Sequence, residues 1–138
     1  MFEEASSPFV LCVDSHVIIV PGALSKLIDY FEAHPDSRDL LQGPMLYDDL
    51  RKIATHMEPQ WRGGMYGTWA EDVRGADPLA SDFEIPLHGC GLFACGREAW
   101  PAFNRMFRGF GGEEGYIHEK IRQRGGRTLY LPFLRWLK

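Results

Sequence analysis

Short apolar runs and one helical pattern divide the first forty residues. The run Phe9–Val13 is continuous and β-prone, which is typical of a strand covered on both faces, as in a parallel sheet. A second apolar stretch covers residues 17–20 and ends at Pro21-Gly22. Apolar residues then recur at i, i+3, i+4 and i+7, namely at Leu24, Leu27, Ile28 and Phe31. This spacing predicts a helix that ends at His34-Pro35.

The second half of the chain repeats this alternation. The patterns predict strands over 83–87, 92–95 and 128–132, a short helix over 97–103 and a helix over 113–124. Strands that alternate with helices indicate an α/β fold. We therefore expect one α/β domain over residues 1–138, with a sheet flanked by helices.

Glycine, proline and aromatic residues dominate residues 56–82, where the periodic pattern is lost. We predict a long loop here, and such a loop inside a compact domain is often a lid or a binding loop. Trp61 and Trp69 are side chains of the type that packs on sugar or base rings. The alternative is that these aromatic residues only fold the loop back onto the body of the domain.

Composition and charge exclude several classes of protein. The 138 residues are 45% hydrophobic, enough for one core, and their net charge of −4 argues against a nucleic-acid partner. No run of about 18 apolar residues exists, so we expect no membrane span. The acidic start of the chain does not resemble a signal peptide. Cys12, Cys90 and Cys95 show no CxxC spacing, which favours free thiols and a cytoplasmic location.

A first candidate site is Asp14-Ser15-His16, at the carboxyl end of the first predicted strand. Open α/β sheets place their ligands at this edge. Residues i and i+2 of an extended chain point the same way, so Asp14 and His16 could hold a divalent cation. Mixed oxygen and nitrogen ligands favour Mn²⁺ over Mg²⁺. The alternative is an aspartate that only forms a turn or caps a helix.

A second candidate site lies at Gly111, Gly112, Glu113 and Glu114. Paired glycines allow a close backbone approach or positive φ, and one carboxylate could bind an acceptor while the other takes its proton. The alternative is a glycine turn followed by ordinary acidic residues of a first helical turn.

His88, in the segment before Gly89-Cys90-Gly91, could reach a ligand or could be a satisfied core histidine packed on a helix. We interpret His34, His56 and His118 as surface or capping residues, because none has a partner at a metal-ligand spacing.

The order of these pieces resembles the catalytic half of a GT-A glycosyltransferase of the family 2 type. It is most similar to polypeptide N-acetylgalactosaminyltransferases and to the C-terminal region of β-1,4-galactosyltransferases. The resemblance covers about residues 9–136. The motifs that carry it are Asp-x-His after an apolar strand, then GCGLFACGREAW over 89–100, then FRGFGGEE over 107–114, and then a helix that ends in RGGR at 124–127.

This resemblance implies a metal-dependent transfer of a sugar from a nucleotide-diphosphate donor to a glycan or protein acceptor. Asp14 and His16 would hold Mn²⁺ (or Mg²⁺) on the diphosphate. Glu113 would contact the sugar or the acceptor, and Glu114 falls where the inverting relatives carry a catalytic aspartate. Many relatives supply a further metal-binding histidine after the last strand, where residues 134–138 contain none.

The same resemblance implies that Gly89 and Gly91 lie in the segment that passes close to the donor sugar, and we expect the glycine pair Gly111-Gly112 to bind substrate as well. If the chain transfers a sugar, we expect Trp61 and Trp69 of the predicted loop to close over it.

The resemblance also implies a partial fold, since relatives begin with a βαβ half that binds the nucleotide and nothing of that kind precedes Phe9. A sheet without those strands would expose an edge, so we expect a homo-oligomer or a second polypeptide. The alternative function is a catalytically incomplete module that binds sugar or a partner.

Overall fold

Residues 2–109 and 111–138 are described by a computed structural model, and they form eleven strands and two α-helices. The helices are α1 (Ala23–Ala33) and α2 (Glu113–Gln123). The strands are β1 (Phe9–Val13), β2 (Ile18–Ile19), β3 (Leu40–Gln42), β4 (Met45–Leu46), β5 (Ile53–Ala54), β6 (His56–Arg62), β7 (Met65–Ala70), β8 (Phe83–Glu84), β9 (Leu92–Gly96), β10 (Thr128–Tyr130) and β11 (Trp136–Leu137). Both helices and the strands β1, β8, β9 and β10 lie where the patterns predict them.

The strands form two mixed sheets and a hairpin. The larger sheet has the order β1-β9-β3-β10-β8, in which β3 and β10 are parallel and the other pairs antiparallel. The smaller sheet has the order β2-β11-β4-β5, and β6 pairs with β7. The predicted α/β class with a sheet flanked by helices is therefore confirmed, and the sheets are mixed.

The expectation that β1 is covered on both faces in a parallel sheet is wrong. β1 pairs antiparallel with β9 and lies at the edge of the larger sheet. Leu11 and Val13 are exposed. A continuous apolar run does not by itself distinguish a central strand from an edge strand, because that depends on which neighbours the tertiary fold supplies.

The core is divided between the two faces of the larger sheet. Alternate residues of a strand point to opposite faces, so that Leu41 packs with Leu27 and Phe31 of α1, while Leu40 packs with Ile117 of α2. This sandwich fixes the N terminus of α2 next to the end of β1, where the candidate site lies.

The segment predicted as a loop over 56–82 contains a hairpin instead. Gly63 and Gly64 form its two-residue turn between the paired residues Arg62 and Met65, and Gly63 has a φ of 62°. Paired glycines are a strong signal for such a turn, and here the surrounding glycines, prolines and tryptophans obscure it. The expected loop is confined to the residues that follow β7.

The helix predicted over 97–103 is wrong as well. A single 3-10 turn, Arg97–Ala99, is present. Trp100 is extended, as a residue before proline prefers to be, so that Pro101 ends the turn before a helix can form.

No described helix is long and apolar enough to cross a membrane. Within the same residues, Cys12, Cys90 and Cys95 carry free thiols.

Candidate functional site

The structure brings the side chains of Asp14 and His16 together just after β1. The backbone N–H of Asp14 donates to the carbonyl of Gly91 at 2.9 Å, which holds the end of β1 against the start of β9. His16 Nε2 lies 3.9 Å from Asp14 Oδ2. Side-chain exposure is 41% for Asp14 and 58% for His16, so both groups are open to a ligand from solvent.

Lys138 contributes a third group to this edge. Its Nζ donates to Asp14 Oδ2 at 3.1 Å, and the lysine side chain is 45% exposed. The carboxylate of Asp14 therefore lies between an imidazole and an ammonium group.

The side chains of Asp14 and His16 meet part of what a metal site needs. Asp14 and His16 offer oxygen and nitrogen donors of the kind that Mn²⁺ accepts. Among the residues that the structure describes, no group of three or more histidine, cysteine, aspartate or glutamate side chains is placed to hold a metal ion. Further coordination would have to come from a ligand and water, as is usual where a cation binds through substrate phosphates.

Gly89 and Gly91 are required by close packing. A Cβ on Gly91 would lie 3.0 Å from the Trp136 ring and 3.4 Å from Asp14 Oδ2, and one on Gly89 would lie 2.9 Å from the Trp69 ring. The segment 88–91 thus runs directly beneath the Asp14 carboxylate, and side chains at the two glycine positions would collide with aromatic rings.

The second candidate pair begins α2. Gly111 and Gly112 have φ values of 94° and 88°, which L side chains rarely adopt. Apart from the chain neighbours, no described atom lies within 4 Å of a Cβ placed on either glycine. Glu113 and Glu114 follow in the first turn, where the helix dipole favours negative charge. The aromatic residue of the motif, Phe110, lies outside the described residues.

Burial raises the pKa of Glu114 above its ordinary value, and the neighbouring Glu113 raises it further, while Lys138 acts in the opposite direction. Glu114 is half-buried. The influence of Lys138 shows that the start of α2 and the Asp14 edge are within electrostatic range of each other.

Cys90 links the two pairs. Burial is the largest cause of its raised pKa, followed by the negative charges of Glu114 and Glu113 and then by Cys12 and Asp14. Cys90 is therefore within electrostatic range of Asp14, Glu113 and Glu114. The bond from the Asp14 N–H to the Gly91 carbonyl holds the Asp14 edge next to the same segment.

The two tryptophans do not face a common cleft. Trp61 pairs with Tyr66 and Met57 with Trp69 across the hairpin. Because successive residues of a strand point to opposite faces, Tyr66 and Trp69, three residues apart, face opposite sides. Joint closure of Trp61 and Trp69 over one sugar is thus at odds with this geometry.

Each tryptophan lines an open cleft of its own. The Trp61 cleft, of about 850 Å³, is bounded by Trp61, Tyr66, Gly112 and Gly115, and Trp61 is 70% exposed. The Trp69 cleft, of about 1040 Å³, contains Trp69 and Lys138 in its walls. The Trp69 cleft therefore adjoins the Asp14 edge, whereas the Trp61 cleft adjoins the N terminus of α2.

Two histidines beneath the site are fully buried. His118 Nδ1 donates to the carbonyl of Glu114 at 2.6 Å, and its Nε2 accepts the backbone N–H of His88 at 3.1 Å. Gln42 donates from Nε2 to the carbonyl of Gly89 at 3.1 Å. These bonds tie α2 and β3 to the segment 88–91 that supports Asp14.

The interpretation of His118 as a surface or capping residue is therefore wrong. The sequence did contain a signal for its burial, because His118 lies at i+4 from Glu114 on the inner face of α2, next to Ile117 and Ile121. Burial lowers the pKa of His118 to about 3 and that of His88 to about 4, so both rings are neutral. His88 Nε2 is buried and has no hydrogen-bond partner among the described residues.

No family model matches the chain, and no curated protein matches it either. Among solved structures, GalNAc-T7 with UDP, GalNAc and Mn²⁺ is similar, with a TM-score of 0.71 and 18% identity over 99% of this chain. A197 from STIV is also similar, with a TM-score of 0.55 and 18% identity over 98% of this chain. The chain covers 28% of the GalNAc-T7 chain and 59% of the A197 chain. It has a fold similar to part of a GT-A glycosyltransferase domain.

Proposed function

We propose that the chain transfers a sugar from a nucleoside diphosphate donor to an acceptor hydroxyl of a glycan or protein. One observation carries this proposal. On a fold similar to that of GalNAc-T7, the Asp14–His16 pair is anchored at Gly91 and the Glu113–Glu114 pair lies within electrostatic range of the neighbouring Cys90. An edge where a strand ends is also where α/β sheets place ligands.

Asp14 and His16 are the residues that would hold Mn²⁺ or Mg²⁺. When bound, such a cation supplies positive charge that stabilises a departing diphosphate. The protein's own contribution here is to hold the backbone of Asp14 against β9 through the carbonyl of Gly91, so that the residue has a fixed position without the ligand.

Glu114 acts as the general base. In the transfer, the acceptor oxygen attacks the anomeric carbon, the bond from that carbon to the diphosphate oxygen breaks, and the electron pair leaves with the nucleoside diphosphate. The hydroxyl proton passes to the Glu114 carboxylate, whose pKa is raised by burial and by Glu113 and which is accordingly a stronger base than an exposed glutamate. Attack from the face opposite the leaving group gives inversion. Glu113 binds the sugar or the acceptor.

The two clefts receive different parts of the substrates. Trp69, packed over Gly89 beside the Asp14 edge, contacts the donor sugar. Trp61 lines a cleft together with Gly112 at the N terminus of α2 and contacts the acceptor.

Replacement of Glu114 by glutamine tests the assignment. We expect Glu114→Gln to lower sugar transfer by about 100-fold or more and to leave donor binding nearly unchanged, because glutamine keeps the size of the side chain and loses the proton acceptor. The assay measures nucleoside diphosphate released from a panel of UDP- and GDP-linked sugars with Mn²⁺. Glu32→Gln, on the exposed side of α1, is the matched control. Full activity of Glu114→Gln would refute the role of this residue.

A second candidate function is a partner-binding module, and the free edge of β1 favours it. Pro8 and Asp14 direct their backbone groups to β9, so those of the odd-numbered Phe9, Leu11 and Val13 point away from it. Exposed Leu11 and Val13 make this edge suited to a strand from a second copy of the chain or from another polypeptide.

Sedimentation velocity across micromolar concentrations tests this alternative. We expect self-association that Leu11→Lys abolishes, since a charge on an edge strand opposes pairing. A wild-type chain that sediments as a monomer at every concentration would count against a homo-oligomer.

The three free thiols support a reducing compartment such as the cytoplasm, and we include that location in the proposal.

A further inference from the structure

Lys138 is placed on the carboxylate that the proposed function assigns to a cation. Its ammonium group donates to Asp14 Oδ2 at 3.1 Å, the same oxygen that lies 3.9 Å from His16 Nε2. The ammonium is close enough to the start of α2 to lower the pKa of Glu114. A positive charge of the protein itself is therefore bound to the Asp14 carboxylate and lies within electrostatic range of Glu114.

The carboxylates near Asp14 make a positive charge such as that of Lys138 necessary for the binding of an anionic ligand. Asp14, Glu113 and Glu114 are all carboxylates, and their negative charges would repel a diphosphate that approached them alone. Lys138 carries three N–H donors, of which one is directed to Asp14. Its side chain is 45% exposed and borders the Trp69 cleft, so that the other two donors are accessible from solvent.

We infer that Lys138 is a diphosphate-binding residue of this site, and that it competes with a divalent cation for the Asp14 carboxylate. The inference rests on the proposed function, because it concerns the same edge and the same donor. Lysine binds phosphate as a point charge, and an ammonium held by Asp14 points its remaining donors to the place where the donor's diphosphate would lie.

Two consequences follow, and they have opposite signs. Without metal, the lysine supports binding of a diphosphate by itself. With metal, the lysine weakens binding of the ion, because Asp14 Oδ2 cannot accept the ammonium and coordinate a cation equally well. A purely structural surface ion pair predicts neither consequence.

Inorganic pyrophosphate is the probe, because it presents the diphosphate without a base or a sugar. Its binding is measured by isothermal titration calorimetry in EDTA and again with Mn²⁺. Mn²⁺ binding alone is followed by the electron paramagnetic resonance signal of the free ion. The variants are Lys138→Met, which keeps the length of the side chain, and the control Lys26→Met on an exposed position of α1.

We expect Lys138→Met to weaken pyrophosphate binding in EDTA by about tenfold, as loss of one charge-assisted contact implies. We expect the same variant to bind Mn²⁺ about threefold more tightly, as removal of a half-exposed competing charge implies. Lys26→Met should match the wild type in both measurements.

The inference is overturned if the wild type binds no pyrophosphate in EDTA, or if Lys138→Met leaves both affinities unchanged. In either case the proposed function survives, provided that the wild type binds pyrophosphate with Mn²⁺. Absence of binding with and without Mn²⁺ refutes the proposed function as well as the inference.

Discussion

His16 and His118 belong to the two ends of the segment 88–91, and their surroundings are opposite. His16 is 58% exposed and faces Asp14, which is itself anchored to Gly91. His118 is fully buried and accepts the backbone N–H of His88. An exposed imidazole beside a carboxylate is open to a cation, whereas a buried neutral imidazole fixes backbone. Burial, and not residue type, therefore separates the proposed binding histidine at one end of the segment from the supporting histidine at the other.

Replacement of His118 should have the largest effect on stability. His118→Ala leaves the His88 N–H without its partner and opens a cavity in the core, so we expect the free energy of unfolding to fall by about 3 kcal/mol. Urea denaturation measures the change. His34→Ala is the control, because the His34 ring is exposed, bonds to the carbonyl of Tyr30 in the adjacent turn of α1 and stacks on the Tyr30 ring; we expect a loss below about 1 kcal/mol. Equal losses in the two variants would remove the contrast.

Acid should destabilise the buried end next most strongly. The pKa values of His88 and His118 are lowered to about 4 and about 3 in the fold, against 6.5 ordinarily. Between about pH 4 and about pH 6.5, the unfolded chain binds more protons than the folded chain. The free energy of unfolding therefore rises with pH in this range and is lost as pH falls below about 6.5. Between about pH 6 and about pH 5 we expect a loss of about 2 kcal/mol. Unfolding curves recorded at fixed pH measure it, and a stability that stays constant over this interval would contradict neutral buried rings.

Replacement of the two tryptophans should have effects on stability of intermediate size, and these effects test the same contrast between a buried and an exposed side chain. Trp69 packs edge-on against the His88 ring with centroids 5.0 Å apart, whereas Trp61 is 70% exposed. We expect Trp69→Ala to lower the free energy of unfolding by about 1.5 kcal/mol and Trp61→Ala by less than half of that. Thermal and urea unfolding compare them. A larger loss for Trp61→Ala would show that the hairpin is held from its other side.

His16 should have the smallest effect on stability. We expect His16→Ala to change the free energy of unfolding by less than about 0.5 kcal/mol while it weakens Mn²⁺ binding by about tenfold. The paramagnetic signal of free Mn²⁺ measures the second change. A destabilisation comparable to that of His118→Ala would mean that both ends of the segment are structural.

Much of this arrangement follows from the sequence. Periodicity predicts α1 and α2, and the i, i+2 spacing predicts that Asp14 and His16 meet. The sequence does not predict that β1 is an edge strand, because the same apolar run suits a strand that pairs with one neighbouring strand or with two. It also does not predict His118 as a core residue, since burial of a polar ring depends on the partner that the fold brings to it, here the backbone N–H of His88, 30 positions away in the chain.

The contact between Lys138 and Asp14 could not be predicted from the sequence either. The two residues are 124 positions apart, and β11 brings them together by pairing with β2 and β4. The sequence could show the absence of a histidine at 134–138, but only the fold shows which group meets the carboxylate instead.

The central claim is that the edge formed by Asp14 and His16 binds a nucleoside diphosphate. Calorimetric titration of the wild type and of Asp14→Asn with UDP, GDP and ADP, with and without Mn²⁺, tests it most directly. We predict saturable binding of one nucleotide that Mn²⁺ strengthens, and loss of that strengthening in Asp14→Asn. Absence of binding by all three nucleotides, or an equal response to Mn²⁺ in the wild type and in Asp14→Asn, would contradict the claim.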